Sequence, residues 1–348
     1  MRAAKLKTAV LGATGYAGYE LTRLLLRHSQ LQKPLLLKRD SVGGSQDLAQ
    51  AFPAISGNGG YPLEPFSIET LKKEGVDLLF LATPHELSRS LVPEIVRAGI
   101  RVIDLSGAWR IRADEHRAIY GFEDRDAQAA GEAMARAVYG LPELHTDQIG
   151  SAALVANPGC YATSVILALA PLVQEGMIDR SRGVISDSKS GVSGAGKEAT
   201  QRTHFVAVAD NMSAYGVFKH RHLGEMLEQL GLASDELTFT PHLLPIPRGI
   251  LSTIYVSLSR TMTAAEIESC YRRFYANRRW VRVFAPPQLP EIQFSLHSNY
   301  CDIGFCLADD RRRLVIVSCI DNLLKGAAGQ AVQNMNVMCG WDEAEGLQ

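Results

Sequence analysis

The chain contains no apolar run long enough to cross a bilayer, no low-complexity tract, no internal repeat and no excess of charge of either sign. Its 36 basic and 37 acidic residues create no field that would draw in nucleic acid or an anionic membrane, so a small-molecule partner is expected. The opening "MRAAKLKTAVLGATGYAG" lacks the apolar core of a signal peptide, and a cytoplasmic location is expected. Cysteine is sparse: six residues, at 160, 270, 301, 306, 319 and 339, with no Cys-x-x-Cys pair and no histidine nearby at a zinc-finger spacing. No structural metal is expected, and the five cysteines other than Cys160 read as core thiols of a reducing compartment.

What remains is an average folded composition, 46% hydrophobic and 21% charged, in 348 residues, enough for two domains. Strand-like "KTAVLGA", "KPLLLKRD", "VDLLFLATP" and "IRVIDLSG" alternate with helix-like "GYELTRLLLRH", "SIETLKKEG" and "LSRSLVPEIVRAG". That alternation predicts an α/β fold, a Rossmann-type doubly wound parallel sheet covered on both faces. Further on, "GVISDSKSG", "LTFTPHLLPI", "GILSTIYVSLS" and "RLVIVSCID" are strands with long connections, joined by a helix at "AAEIESCYRRFY". This predicts an α+β domain with a mixed or antiparallel sheet. The expected boundaries are 1–157 for the first domain, completed by a C-terminal helix over about 323–348, and 158–322 for a catalytic and oligomerisation domain.

"LGATGYAG" stands between the first strand and the first helix, with Gly12, Gly15 and Gly18 at a G-x-x-G-x-x-G spacing. In that context the N–H groups of Thr14, Gly15, Tyr16, Ala17 and Gly18 suit a pyrophosphate, and the competing reading is a tight turn that needs glycine. At the end of the second strand, Lys38, Arg39 and Ser41 suit the 2′-phosphate of NADP, whereas Asp40 would suit NAD.

Cys160 follows Asn-Pro-Gly and precedes an apolar helix over "ATSVILALAP". A helix N-terminus lowers a thiol pKa, so Cys160 reads either as a nucleophile or as a buried thiol. "HRHLGEM" supplies His220, His222 and Glu225. Two histidines two apart can ligate a metal from a strand, but no third ligand is evident, and a solvated pair is the other reading.

Several of these segments together resemble the N-acetyl-gamma-glutamyl-phosphate reductases, relatives of aspartate-semialdehyde dehydrogenase. They are "LGATGYAGYEL", "NPGCYAT", "SGVSGAGK", "HRHLGEM", "PIPRGILST" and "IDNLLKGAAGQAVQNMN". The chain departs from the family pattern in "DLSGAWRI", where Ala108 stands at a position that is often Asp while Arg110 is kept, and at Ser164 and Gly224. The resemblance implies NADP(H)-dependent reduction of an acyl phosphate through a thioester on Cys160, with His222 as acid/base and His220 beside it, sharing the role or binding substrate. It further implies Arg110, Ser190, Ser193, Gly194, Glu225 and Arg248 on the substrate, with Glu225 alternatively orienting the base. Asn322 is expected near the nicotinamide, and Gly326 lets a helix approach it. A homodimer or homotetramer is expected. Two rivals stand beside it: a reductase of a carrier-protein-linked aminoadipyl or glutamyl phosphate, and an NADP-binding sensor without catalysis.

Overall fold

A computed structural model describes residues 5–39, 46–57 and 59–348. The chain divides into two compact units: the chain up to Arg112 with Gly121–Pro158 and Ala327–Gln348, and Ala113–Tyr120 with Gly159–Gly326.

The first unit is built on an eight-stranded sheet. Its strands are β1 (Thr8–Leu11), β2 (Leu35–Lys38), β3 (Gln46–Asp47), β4 (Pro62–Pro65), β5 (Leu78–Leu81), β6 (Arg101–Asp104), β7 (Ala137–Tyr139) and β8 (Leu154–Ala156). They lie in the order β3-β4-β2-β1-β5-β6-β8-β7, and every pair is parallel except β3 with β4. β1 and β5 are buried along their whole length, as continuous apolar strands must be when helices cover both faces. The core joins Leu11, Leu79 and Leu81 of the sheet to Val92 and Ile95 of the His85–Arg97 helix and to Ala130 and Ala133 of the Ala127–Arg136 helix. The chain leaves β1 toward β2 and β4 but leaves β5 toward β6 and β8, so a crevice opens beyond the carboxyl ends of β1 and β5.

The second unit carries β9 (Val184–Gly191), β10 (Ser213–Ala214), β11 (Leu237–Leu244), β12 (Ile250–Ser257), β13 (Val281–Val283), β14 (Cys301–Leu307) and β15 (Arg313–Ile320). Their order is β10-β11-β9-β12-β15-β14-β13, parallel at β11–β9 and β14–β13 and antiparallel elsewhere. The sheet is mixed. The Cys160–Gln174 helix packs on it, with every residue from Tyr161 to Leu172 buried. A helix apolar on all sides is stable only when covered all round, and here the His222–Leu230 and Ala264–Phe274 helices supply the rest of the cover. Ser164 anchors it to the sheet, its hydroxyl meeting those of Ser252 on β12 and Ser318 on β15 at 2.9 and 3.0 Å.

Three details differ from the sequence reading. The last helix begins only at Gly329, after a π-helical turn over Leu324–Ala328, and residues through Gly326 group with the second unit. Ala113–Tyr120 also groups there, its backbone N–H at Ala113 bonding to Glu228 at 3.0 Å. His220 and His222 are not on a strand: His222 opens a helix that ends at Leu230, and among the described residues no cluster of three or more His, Cys, Asp or Glu side chains could hold a metal.

Candidate active site

In the first unit β1 ends at Leu11 and Gly12 turns the chain with φ of 97°. A Cβ there would lie 2.3 Å from the Ala82 carbonyl oxygen, and one on Gly18 would lie 2.1 Å from that of Gly12. Close backbone packing therefore requires glycine at both positions, and the turn requires it at Gly12 as well. The Tyr16–Arg27 helix follows with Gly15 at its N-cap, no capping side chain and no acidic residue in its first turn. Its positive end is left for an external anion. A cleft of about 830 Å³ opens beside it, lined among others by Gly12, Thr14, Gly15, Lys38, Arg39 and Thr83. Tyr16 and Ala17 begin the helix that follows Gly15, Gly18 is buried against Gly12, and Ser41 lies outside the described residues. These features fit a nicotinamide dinucleotide: a cradle that a Cβ would fill, an uncapped helix end and two cations.

Arg110 also belongs to the first unit and is 7% exposed. Its Nη2 donates to the Leu105 carbonyl at 2.7 Å. The same loop is fixed by Asp104, whose carboxylate accepts the N–H and hydroxyl of Ser106 at 3.1 and 2.7 Å. Burial raises the Asp104 pKa, opposed by these bonds and by the Arg110 charge.

In the second unit the helix begins at Cys160 itself, with Gly159 as N-cap, no capping side chain and no acidic residue in the first turn. Cys160 is partly exposed, whereas Cys270, Cys301 and Cys319 are buried. Burial pushes the Cys270 thiol up to about 11 and the Cys319 thiol higher still. The Cys160 thiol thus stands at the positive end of a fifteen-residue helix, the setting that favours a thiolate.

Two glycines make room beside it. A Cβ on Gly159 would come within 2.4 Å of His222 Nε2, and one on Gly326 within 2.7 Å of the Cys160 Cβ. The His222 ring therefore lies directly against the residue that precedes the cysteine. Glu225, one turn along the same helix, has Oε1 4.0 Å from His222 Nε2 and accepts the Gly159 N–H at 2.9 Å with Oε2. Its carboxylate is fully buried. From there it faces the Gly159 backbone and the His222 ring.

His220 occupies a different environment. Its ring makes edge contacts with Tyr161, Tyr215 and Phe239 at centroid distances of 5.5, 5.5 and 5.4 Å. Burial, then the neighbouring His222, lowers its pKa to about 3. Burial also raises the Tyr161 hydroxyl pKa and pushes that of Tyr215 up to about 12. The Tyr161 hydroxyl donates to the His242 carbonyl at 2.8 Å.

Arg248 is 13% exposed, and its Nη2 donates to Asp321 Oδ1 at 2.9 Å. Asp321 is fully buried and also accepts the N–H groups of His297, Leu323 and Leu324 at 2.8, 2.9 and 3.1 Å. Asn322, 2% exposed, accepts the Gly249 N–H at 2.7 Å and donates to the Ser193 hydroxyl at 2.9 Å. It ties two loops of the second unit together. Ser190 is buried with its hydroxyl bonded to the Gly191 carbonyl at 3.0 Å, while Ser193 is half-buried and Gly194 exposed. Tyr161, Tyr215 and Asp321 escaped the sequence reading, which took Gly159 only as a turn residue. Tyr161 follows Cys160 in the chain and Asp321 precedes Asn322, so adjacency was the available signal for both; Tyr215 had none.

Residues 7–152 match the semialdehyde dehydrogenase NAD binding domain, and residues 160–322 the semialdehyde dehydrogenase dimerisation domain. The chain is therefore of the semialdehyde dehydrogenase class. Solved structures agree on the fold: aspartate semialdehyde dehydrogenase II from Vibrio cholerae, complexed with ASA, superposes with a TM-score of 0.70 at 17% identity, covering 97% of this chain and 98% of that one. The enzyme with NADP from Candida albicans superposes with a TM-score of 0.66 at 15% identity, over 96% and 98%. Much closer in sequence are the N-acetyl-gamma-glutamyl-phosphate reductases of Desulfotalea psychrophila, 45% identical over 99% of this chain and 98% of the relative, and of Methanocaldococcus jannaschii, 42% identical over 98% and 97%. The chain belongs to the N-acetyl-gamma-glutamyl-phosphate reductase family.

Proposed function

We propose that the chain reduces N-acetyl-γ-glutamyl phosphate to N-acetylglutamate γ-semialdehyde with release of phosphate, a step of arginine biosynthesis, with Cys160 as nucleophile and NADPH as reductant. It is an oxidoreductase, and it binds a nicotinamide cofactor. The observation that carries the reading is the partly exposed thiol at the first position of an uncapped helix, with the His222 ring against Gly159.

In this reading the Cys160 thiolate attacks the acyl carbonyl, the carbon–oxygen bond to phosphate breaks, and phosphate leaves with the electron pair, giving a thioester. A reduced nicotinamide, when bound, supplies the hydride that takes the thioester carbon to the aldehyde level. Protonated His222 donates to the thiohemiacetal oxygen as that forms and takes the same proton back as the carbon–sulfur bond breaks and the thiolate is restored. Glu225, accepting the Gly159 N–H at 2.9 Å, supports a fixed geometry of the cysteine turn against the histidine. Arg248, held by Asp321, and Arg110, held by the Leu105 carbonyl, each offer a preset guanidinium for the carboxylate or phosphate of the substrate. Ser193 and Gly194 are proposed on the substrate side. Asn322 is proposed near the nicotinamide, held through Gly249 and Ser193, and Gly326 is proposed to let the helix approach the cofactor.

The two cations Lys38 and Arg39 lining the cleft support NADP(H) over NAD(H). A homo-oligomer is proposed through the open face of the second sheet, where Ile185 and Tyr255 are cross-strand partners with 50% and 46% exposure. A cytoplasmic location is proposed as well, and among the described residues no helix is long and apolar enough to cross a membrane. The deciding experiment follows NADP+ reduction with N-acetylglutamate semialdehyde and phosphate, alongside the aminoadipate analogue. Turnover of the first alone is expected. Preference for the analogue would move the reading to the carrier-linked substrate, and binding of NADP without turnover would move it to a sensor.

A further inference from the structure

Arg89 lies on the His85–Arg97 helix of the first unit and is only 8% exposed. Two other segments of that unit converge on it. Nε donates to Asp124 Oδ1 at 2.7 Å and Nη2 to Asp124 Oδ2, a bidentate grip, while Nη1 donates to the Ala108 carbonyl at 3.3 Å. The guanidinium carbon stands 4.4 Å from the Trp109 ring centroid and 4.9 Å from that of Phe122. One helical position earlier, Ser88 accepts the Trp109 indole N–H at 2.9 Å. The loop so gripped carries Arg110, whose own guanidinium folds back to Leu105. Arg89 and Asp124 also line the 830 Å³ cleft.

A buried guanidinium requires a counter-charge and partners for its donors. Position 108, the loop residue in contact with Arg89, is alanine and gives only its carbonyl, so the carboxylate comes from Asp124 in the segment that leads into the Ala127–Arg136 helix. Planarity matters too, because stacking between two rings and a fork onto one carboxylate are both beyond an ammonium.

We propose that Arg89 is a positioning residue: clamped by Asp124 and stacked between Trp109 and Phe122, it fixes the Leu105–Arg112 loop in the conformation that presents Arg110. This rests on the substrate role proposed above for Arg110. Asp124→Asn keeps the shape and removes the charge, and Arg89→Lys keeps the charge and removes the fork. In either variant KM for the acyl phosphate is expected to rise about tenfold, the effect of loosening a charged hydrogen bond, with kcat changed less than about threefold. Amide hydrogen exchange over residues 105–112 is expected to quicken while that of β5 stays as it was. The double variant should be no worse than the more severe single one, since both remove one clamp. A fall in melting temperature with unchanged KM and unchanged exchange at 105–112 would reduce the pair to a structural salt bridge and overturn the proposal, as would additive effects. If the unaltered enzyme does not turn over the acyl phosphate, the functional reading fails, and hydrogen exchange at 105–112 still decides the clamp.

Discussion

His220 Nδ1 accepts the backbone N–H of His222 at 3.1 Å. That bond requires the proton on Nε2 and the ring neutral, in keeping with a pKa lowered to about 3 by burial. A pH dependence of rate between pH 5 and 8 is therefore expected from a group other than His220. His222→Asn is expected to lower kcat by about 10²- to 10⁴-fold, the usual share of a general acid–base group, and to remove the acid limb of the pH–rate profile. His220→Asn, which retains an acceptor, should leave that limb in place. An unchanged profile in the first variant would shift the assignment to another group.

Cys160→Ser should abolish phosphate-dependent NADP+ reduction, by at least about a thousand-fold, the scale of removing a nucleophile. The Kd for NADPH, followed by fluorescence, should stay within about twofold, because the thiol contributes chemistry rather than dinucleotide affinity. Retained turnover would end its role as nucleophile.

Glu225→Ala leaves the buried Gly159 N–H without its acceptor, at a cost of about 1–3 kcal/mol. A melting temperature lower by several degrees is expected by calorimetry. Glu225→Gln keeps an oxygen at that place and should recover most of the stability. Equal losses in both would mean that the charge, and not the hydrogen bond, holds the turn.

Lys38→Ala and Arg39→Ala test the choice of cofactor. If they meet a 2′-phosphate, each should weaken NADPH by about tenfold or more, the value of a charge-assisted hydrogen bond, and leave NADH nearly untouched. Equal weakening of both cofactors would place these cations elsewhere on the dinucleotide.

His28 is buried, with Nε2 paired to the Asn336 side-chain oxygen at 2.9 Å and Nδ1 accepting the Gln30 N–H at 3.3 Å. Burial lowers its pKa below 6.5. The unfolded chain then takes up this proton before the folded one does. The stabilisation is complete above pH 6.5 and is lost as pH falls through the lowered folded value. Melting temperature should thus fall between pH 7 and 5 more steeply in the unaltered protein than in His28→Gln. Parallel curves would assign the acid sensitivity to other groups.

Much of this was readable in the chain. Apolar runs alternating with amphipathic helices require a parallel covered sheet, since only βαβ crossovers bury such strands on both faces. "LGATGYAG" announced its turn because few sequences other than glycine allow a φ of 97° beneath the Ala82 carbonyl. "NPGCYAT" located the cysteine at a helix entrance, although the reading began the helix two residues late. The strand Cys301–Leu307 was not legible, because Gly304 and a nearly continuous burial pattern hide the period of two.

The site itself divides along the same line. Residue types and local turns are properties of the sequence, and they nominated Cys160, His220 and His222, while Arg248 came from the family resemblance. The environment of His220 is set by burial among Tyr161, Tyr215 and Phe239, rings from separate parts of the chain, and that burial lowers its pKa. That Glu225 holds the Gly159 N–H, across 66 residues of sequence, and that Asp124 rather than residue 108 serves Arg89, were settled by the fold alone. Charge, desolvation and hydrogen-bond geometry act through space, and no local pattern records which distant group will arrive.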